Sequence, residues 1–219
     1  MIGIGGQAFS DRRDAALRLA EDLEDLGGQD VVVLGIPRGG VEIAAVLADS
    51  LRAALDVVIP RKIGAPGNPE LGLGAVAEGV EVIDERLVRI LGVEEPYLRA
   101  EIAAQQEEIE RRASAYRDGR PPVDLAAKVA MIVDDGVATG GTAVAAIRWA
   151  RSKGASRVIL AVPVAPPDAA RRLSREADEV RVLLTPEPFF AVGQWYDEFP
   201  QVSDQQVVET LARFPEGRE

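Results

Sequence analysis

Short apolar runs rich in Val, Ile and Leu alternate along this chain with stretches of helical periodicity, and that alternation restricts the fold more than any other feature. Strands are expected at Val31 to Ile36, Asp56 to Arg61, Val129 to Asp134, Arg157 to Val162 and Glu179 to Leu184. Helices are expected at Val41 to Ala54, Ala143 to Lys153 and Pro167 to Glu176. Runs of this kind, interleaved with helices, belong in a mostly parallel sheet covered on both faces. The fold class expected is therefore α/β, a three-layer α/β/α arrangement around a mostly parallel twisted sheet of five to six strands. A first helix spans Asp11 to Leu26, with Ser10 as N-cap, Ala15, Leu19, Leu23 and Leu26 on its apolar stripe, and Gly27-Gly28 at its end. Leu73 to Ala77 and Val80 to Ile83, separated by Glu78-Gly79, read as a hairpin or edge pair that extends the same sheet.

One junction carries chemistry. The run Val133-Asp134-Asp135-Gly136-Val137-Ala138-Thr139-Gly140-Gly141-Thr142 leaves an apolar strand and enters a helix. At a helix start the backbone amides point outward with partial positive charge, and Gly140 and Gly141 let a phosphate approach without meeting a Cβ. Thr139 and Thr142 add hydroxyl donors. Adjacent carboxylates cannot be phosphate ligands, because like charges repel, but they accept hydrogen bonds from a sugar diol. The ligand implied is a ribose 5-phosphate.

This stretch resembles the phosphoribosyl-pyrophosphate signature of the type I phosphoribosyltransferases: an apolar strand, two acids, three variable positions, then Thr-Gly-Gly-Thr. The resemblance implies transfer of the 5-phosphoribosyl group to a nitrogen acceptor, a nucleobase first among them, with release of pyrophosphate. Asp134 and Asp135 would hold the ribose diol and engage Mg2+, directly or through water. Thr139, Gly140, Gly141 and Thr142 would bind the 5-phosphate, with Gly136, Val137 and Ala138 also at the substrate. It implies a phosphoribosyltransferase core over residues 28–185, with terminal segments 1–27 and 186–219 forming a small hood lobe. Members of the family are often dimers, so a homodimer is one expected assembly.

Two further loops gain meaning from the resemblance. Gly35-Ile36-Pro37-Arg38-Gly39-Gly40 ends the first strand; alone it is a glycine-rich turn, but in the family the loop at this place holds pyrophosphate. Gly39 and Gly40 permit the turn, and Arg38 offers a planar fork of donors. Its spacing does not give the Gly-x-Gly-x-x-Gly of a dinucleotide site. Arg61-Lys62-Ile63-Gly64 is expected to close the second strand, where open α/β sheets bind ligands. The family places a basic residue here to support pyrophosphate. Lys62 is the choice over Arg61, although strand alternation leaves open which faces the cleft.

Composition narrows the mechanism. The 219 residues contain no Cys and no His, which excludes disulfides, thiolate nucleophiles, imidazole bases and imidazole metal sites. A displacement at an anomeric carbon needs no protein nucleophile, so the two agree. The formal charge of -11 argues against a nucleic-acid surface. An anionic sugar must then be attracted locally, by helix amino termini, a few placed cations and a divalent metal. Met1 to Gly6 lacks the basic start and apolar core of a secretory signal, and no apolar run reaches membrane-spanning length. A soluble cytoplasmic protein with no membrane partner is expected.

Glu94 to Arg117 reads as one long helix with Pro96 near its start and a thin apolar face. It is either a solvated surface helix or the mobile cover that family members often carry here, from which Arg111, Arg112 and Tyr116 would reach pyrophosphate. Six of the ten aromatics fall between Phe189 and Phe214. The segment around Phe189 and Phe190 loosely resembles the purine-family hood, where a ring stacks on the base; large aromatics also serve simply to dock a tail. Ser203-Asp204-Gln205-Gln206 has the pattern of a capping box opening a helix through Arg213. Two competing functions remain, a non-catalytic sensor of phosphoribosyl pyrophosphate and a diphosphokinase that makes it, although the latter family has longer, duplicated chains.

Overall fold

The computed structural model describes residues 8–214; the expectation for Met1 to Gly6, and the outer ends of both terminal segments, lie outside them. The chain order is α1 (Arg12–Asp22), β1 (Val31–Gly35), α2 (Gly39–Leu51), β2 (Ala54–Val57), β3 (Arg61–Ala65), β4 (Asn68–Ala77), β5 (Val80–Ile83) and α3 (Glu85–Leu91). It continues through α4 (Glu95–Arg117), β6 (Val129–Val133), α5 (Gly141–Ser152), β7 (Arg157–Val164), α6 (Pro167–Leu173), β8 (Glu179–Leu184) and α7 (Asp204–Ala212). Five strands form one parallel sheet in the order β2-β1-β6-β7-β8. This is the α/β fold expected from the sequence.

Burial follows the pleat. Val31 and Val33 of β1, Met131 and Val133 of β6 and Ile159 of β7 face a core shared with α1, α2 and α7. Val32, Leu34, Ala130, Ile132, Val158 and Leu160 face the opposite core, filled by α5 and α6. Both faces are apolar because both are covered, which is why these strands read as continuous hydrophobic runs. The chain winds away from β1 towards β2 in one direction and from β6 towards β8 in the other, so β1 and β6 flank the switch point where such sheets open a crevice. Gly35 lies opposite Val133 in their register. The loops that follow these two strands therefore emerge side by side.

Four expectations need correction. The second strand does not run to Arg61: it ends at Val57, and Pro60, with no N–H to donate, cannot continue a ladder. Arg61 and Lys62 instead begin β3, which pairs antiparallel with β4, and β4 pairs with β5. Consequently the Leu73–Ile83 hairpin does not extend the main sheet but belongs to a second, three-stranded one. At α1 the N-cap is Asp11, whose side chain accepts from Asp14 N at 2.7 Å, rather than Ser10. That helix ends at Asp22, and Glu24–Leu26 form a separate 3-10 turn. The capping box at α7 is present as read, with Ser203 Oγ accepting from Gln206 N and Gln206 Oε1 accepting from Ser203 N. No helix among the described residues is long and apolar enough to cross a membrane.

Candidate active site

The two loops at the switch point pack with no space to spare. Ile36 N donates to Val133 O at 2.8 Å, tying the β1 loop to the end of β6. A Cβ on Gly39 would overlap Asp135 Oδ2 and lie 2.6 Å from Asp135 Cγ; one on Gly40 would lie 2.6 Å from Val133 O. Both glycines sit in the first turn of α2, two residues earlier than helical periodicity suggested. They are glycine because two backbones and a carboxylate meet there. The Pro37–Arg38 peptide between them and the strand is cis.

Asp134 and Asp135 are half-buried at the end of β6. Asp134 Oδ1 accepts from Asp135 N at 2.9 Å. Burial pushes the Asp134 carboxyl well above the usual carboxylate range, and repulsion from Asp135 adds to it. Burial raises Asp135 as well, opposed by the Arg12 guanidinium, whose Nε donates to Asp135 Oδ2 at 2.8 Å. Two acids crowded in this way attract a positive partner. Hard carboxylate oxygens suit Mg2+, which takes most of its ligands from phosphates and water. Among the described residues no cluster of three or more acidic, His or Cys side chains exists to hold a metal by itself.

Beyond the acids, Gly140 takes a left-handed conformation, φ 78°, and caps α5 without a side-chain hydrogen bond. The first amides of α5 thus have no intrahelical acceptor. Thr139, Gly141 and Thr142 line a cavity of about 640 Å³ together with Lys62, Gly72, Arg148 and Arg172. The Arg172 side chain approaches within 3.4 Å of where a Cβ on Gly140 would stand. Lys62 thus lies on the side of the Thr139–Thr142 loop, where its Nζ meets Glu70 Oε2 at 3.2 Å. Arg61 is turned to α4, donating to Gln105 Oε1 at 2.8 Å; burial and the neighbouring Arg112 lower its pKa.

Arg38 lies beside its loop, 3.8 Å from Asp204 Oδ1 at the start of α7. The same carboxylate oxygen accepts from Tyr116 Oη at 2.6 Å, and burial with this bond pushes the Tyr116 hydroxyl up to about 12. Arg111 and Arg112 both engage Glu108. The tail crosses the site at Gly136, where a Cβ would be 2.5 Å from Val192 Cγ1. Phe189 is stacked on Trp195 with ring centroids 6.2 Å apart, while Phe190 is 81% exposed. Ala138 is exposed.

Sequence reasoning missed Arg12 and Tyr196. Tyr196 Oη donates to Asp135 O at 2.6 Å. Arg12 sits in Asp11-Arg12-Arg13-Asp14, which reads as an ordinary charged helix start, so only the strong aromatic clustering near Tyr196 pointed towards this contact. Arg172, in a charged stretch of α6, carried no signal either.

A family model described as "Phosphoribosyl transferase domain" matches residues 7–197. A Mycobacterium tuberculosis protein named "Putative phosphoribosyl transferase" is 48% identical over 206 residues, 94% of this chain and 46% of its own length. The chain thus spans about half the length of the curated relatives it matches. The crystal structure of TT1426 from Thermus thermophilus superposes with a TM-score of 0.81 at 44% identity, covering 94% of this chain and 98% of that one. A uracil phosphoribosyltransferase of a Nocardioides species is 36% identical over 74 residues, 34% of each chain.

Proposed function

The chain belongs to the phosphoribosyl transferase domain family, and from that premise we propose that it transfers the 5-phosphoribosyl group of phosphoribosyl pyrophosphate to a nitrogen acceptor. The observation that carries this reading is the packing of the acidic pair against the Gly39–Gly40 turn, with the uncapped start of α5 on the same loop as the acids. In this reading Thr139, Thr142 and the amides of Gly140 and Gly141 bind the 5-phosphate. Asp134 and the free oxygen of Asp135 accept from the ribose diol, and their field favours positive charge at the anomeric carbon. Arg38 and the amides of the β1 loop receive pyrophosphate. The acceptor nitrogen bonds to the anomeric carbon as its bond to pyrophosphate breaks, and pyrophosphate leaves with the electron pair. Holding the partners in line supplies the rate, since the chain offers no His or Cys for acid–base or covalent work. Mg2+ held at Asp134 and Asp135 would neutralise charge on the pyrophosphate.

Ala138 bears on the acceptor. In 6-oxopurine members of the resembling family an Asp stands here beside the base and manages a proton; this chain has a methyl group. Hypoxanthine and guanine are therefore poor substrates in this reading, adenine is the first acceptor to test, and Phe190 is the ring free to stack on it. A Cys-free chain suits a reducing cytoplasm.

Calorimetry with phosphoribosyl pyrophosphate, with Mg2+ and then with EDTA, tests the binding step: saturable binding that needs the metal is expected, and equal affinity in both sinks the metal-assisted model. Pyrophosphate release across adenine, hypoxanthine, guanine, xanthine, uracil, orotate and nicotinate tests transfer. Efficient turnover of hypoxanthine or guanine refutes the argument from Ala138. Tight binding with silence across the panel favours a regulator that senses the same ligand.

A further inference from the structure

The guanidinium of Arg12 stands against the acidic pair, bonded to the carboxylate of Asp135. Its side chain is only 8% exposed. Nε donates to Asp135 Oδ2 at 2.8 Å and Nη1 to Pro200 O at 2.7 Å, with Glu42 Oε2 at 3.6 Å from Nη1. One face of the guanidinium lies on the Phe199 ring, 3.9 Å from its centroid. A Cβ on Gly39 would come within 2.9 Å of Nε, so the pyrophosphate-side turn also closes on it. Tyr196 completes the enclosure by donating to Asp135 O, and its ring packs against Phe9 and Phe199 at 5.3 and 4.8 Å.

We propose that Arg12 is a positioning residue for the ribose site, acting through Asp135. This inference rests on the functional reading above. By holding Oδ2, Arg12 fixes the rotation of the carboxylate about its Cβ–Cγ bond and leaves Oδ1 as the oxygen presented to the diol. Walled in by Phe199 and Gly39, the guanidinium works at one remove from the ligand. Because its second donor is spent on Pro200 O, the same group binds α1 and the carboxyl-terminal segment together across the acid. The terminal segments thereby set the orientation of a carboxylate that belongs to the central sheet.

Arg12→Met, Arg12→Lys and Leu23→Ala separate positioning from general stability. Leu23 is a fully buried residue at the C-cap of α1, the end of the helix opposite Arg12, so its truncation should lower the melting temperature while the Kd for phosphoribosyl pyrophosphate with Mg2+ stays within about twofold, an apolar cavity being a stability effect. Arg12→Met should weaken that Kd by about 10- to 100-fold, the usual effect of removing a partner that orients a ligand-binding group. Arg12→Lys, which keeps the charge but not the fork, should recover part of the loss. Wild-type affinity in Arg12→Met overturns the proposal, as does an equal loss in Leu23→Ala. Should Arg12→Met fail to fold, an unchanged Kd in Arg12→Lys overturns it equally. A wild-type chain that does not bind the ligand at all overturns the functional reading and this inference with it.

Discussion

At Gly39 a single hydrogen atom separates two working parts of the crevice. A methyl group there would overlap Asp135 Oδ2 and crowd Arg12 Nε at 2.9 Å. Neither neighbour can give way freely, since the carboxylate and the guanidinium are bonded to each other and the guanidinium is also bonded to Pro200. Gly39→Ala is expected to cost about 1–3 kcal/mol of stability, the usual range for overpacking, and to abolish measurable binding of phosphoribosyl pyrophosphate. Denaturant unfolding and calorimetry on the one variant check both. A normal Kd would show that Asp135 can turn aside without loss, contrary to the role assigned to it.

The helix α4 shows how an element can look solvated and still be structural. Its thin apolar face is real: Leu98, Ile102 and Ile109 are buried. What its sequence conceals is the far end, where Arg117 is 8% exposed and donates to Asp56 Oδ1 at 2.9 Å and to Val57 O at 3.0 Å. Asp56 also accepts from Val123 N at 2.9 Å, so one carboxylate joins β2, α4 and the chain beyond it. Arg117→Met leaves that acid buried without its cation and should cost about 3–5 kcal/mol, read as a fall in the urea midpoint. Charge on the outer face is a different matter. Arg111 and Arg112 together hold the Glu108 carboxyl down at about 2, against an ordinary 4.5. A depressed carboxyl favours the fold above its unfolded pKa and loses that effect as pH falls through the folded one. Glu108→Gln should therefore lower the melting temperature slightly at pH 7, and the gap from wild type should close as the pH falls from 4.5 to about 2. A gap that persists at the acid end would show that the ion pairs are not its source.

Across the whole molecule the net charge of -11 opposes an anionic ligand. Several cations are already engaged by acids: Arg12 by Asp135, Lys62 by Glu70, Arg111 and Arg112 by Glu108. Long-range repulsion is screened over about 10 Å at 0.1 M salt, whereas a phosphate seated on helix amides is not. The association rate for phosphoribosyl pyrophosphate at fixed Mg2+ should therefore rise, by roughly a few-fold, between low and physiological salt. Stopped-flow measurements check this; a rate that falls with salt would reveal an attractive field that the charge distribution does not suggest.

Much of the fold and the central motif was legible in sequence because both are written locally. Parallel strands are apolar at every position, a helix start shows its glycines and threonines, and Asp134-Asp135 stands just before that helix start. The small second sheet was only half legible: Pro60 marks the break, but which strand receives Arg61 and Lys62 depends on pairing with residues 72 to 76. The supports of the site were barely legible. Arg12 reaches Asp135 across 123 positions and Tyr196 reaches it across 61; Arg12 is unremarkable among its neighbours in the chain, and Tyr196 is marked only by the aromatics clustered around it. Local patterning decided where strands, helices and the Thr139–Thr142 loop would form; only the folded chain, by bringing both terminal segments onto Asp135, decided what holds that acid in place.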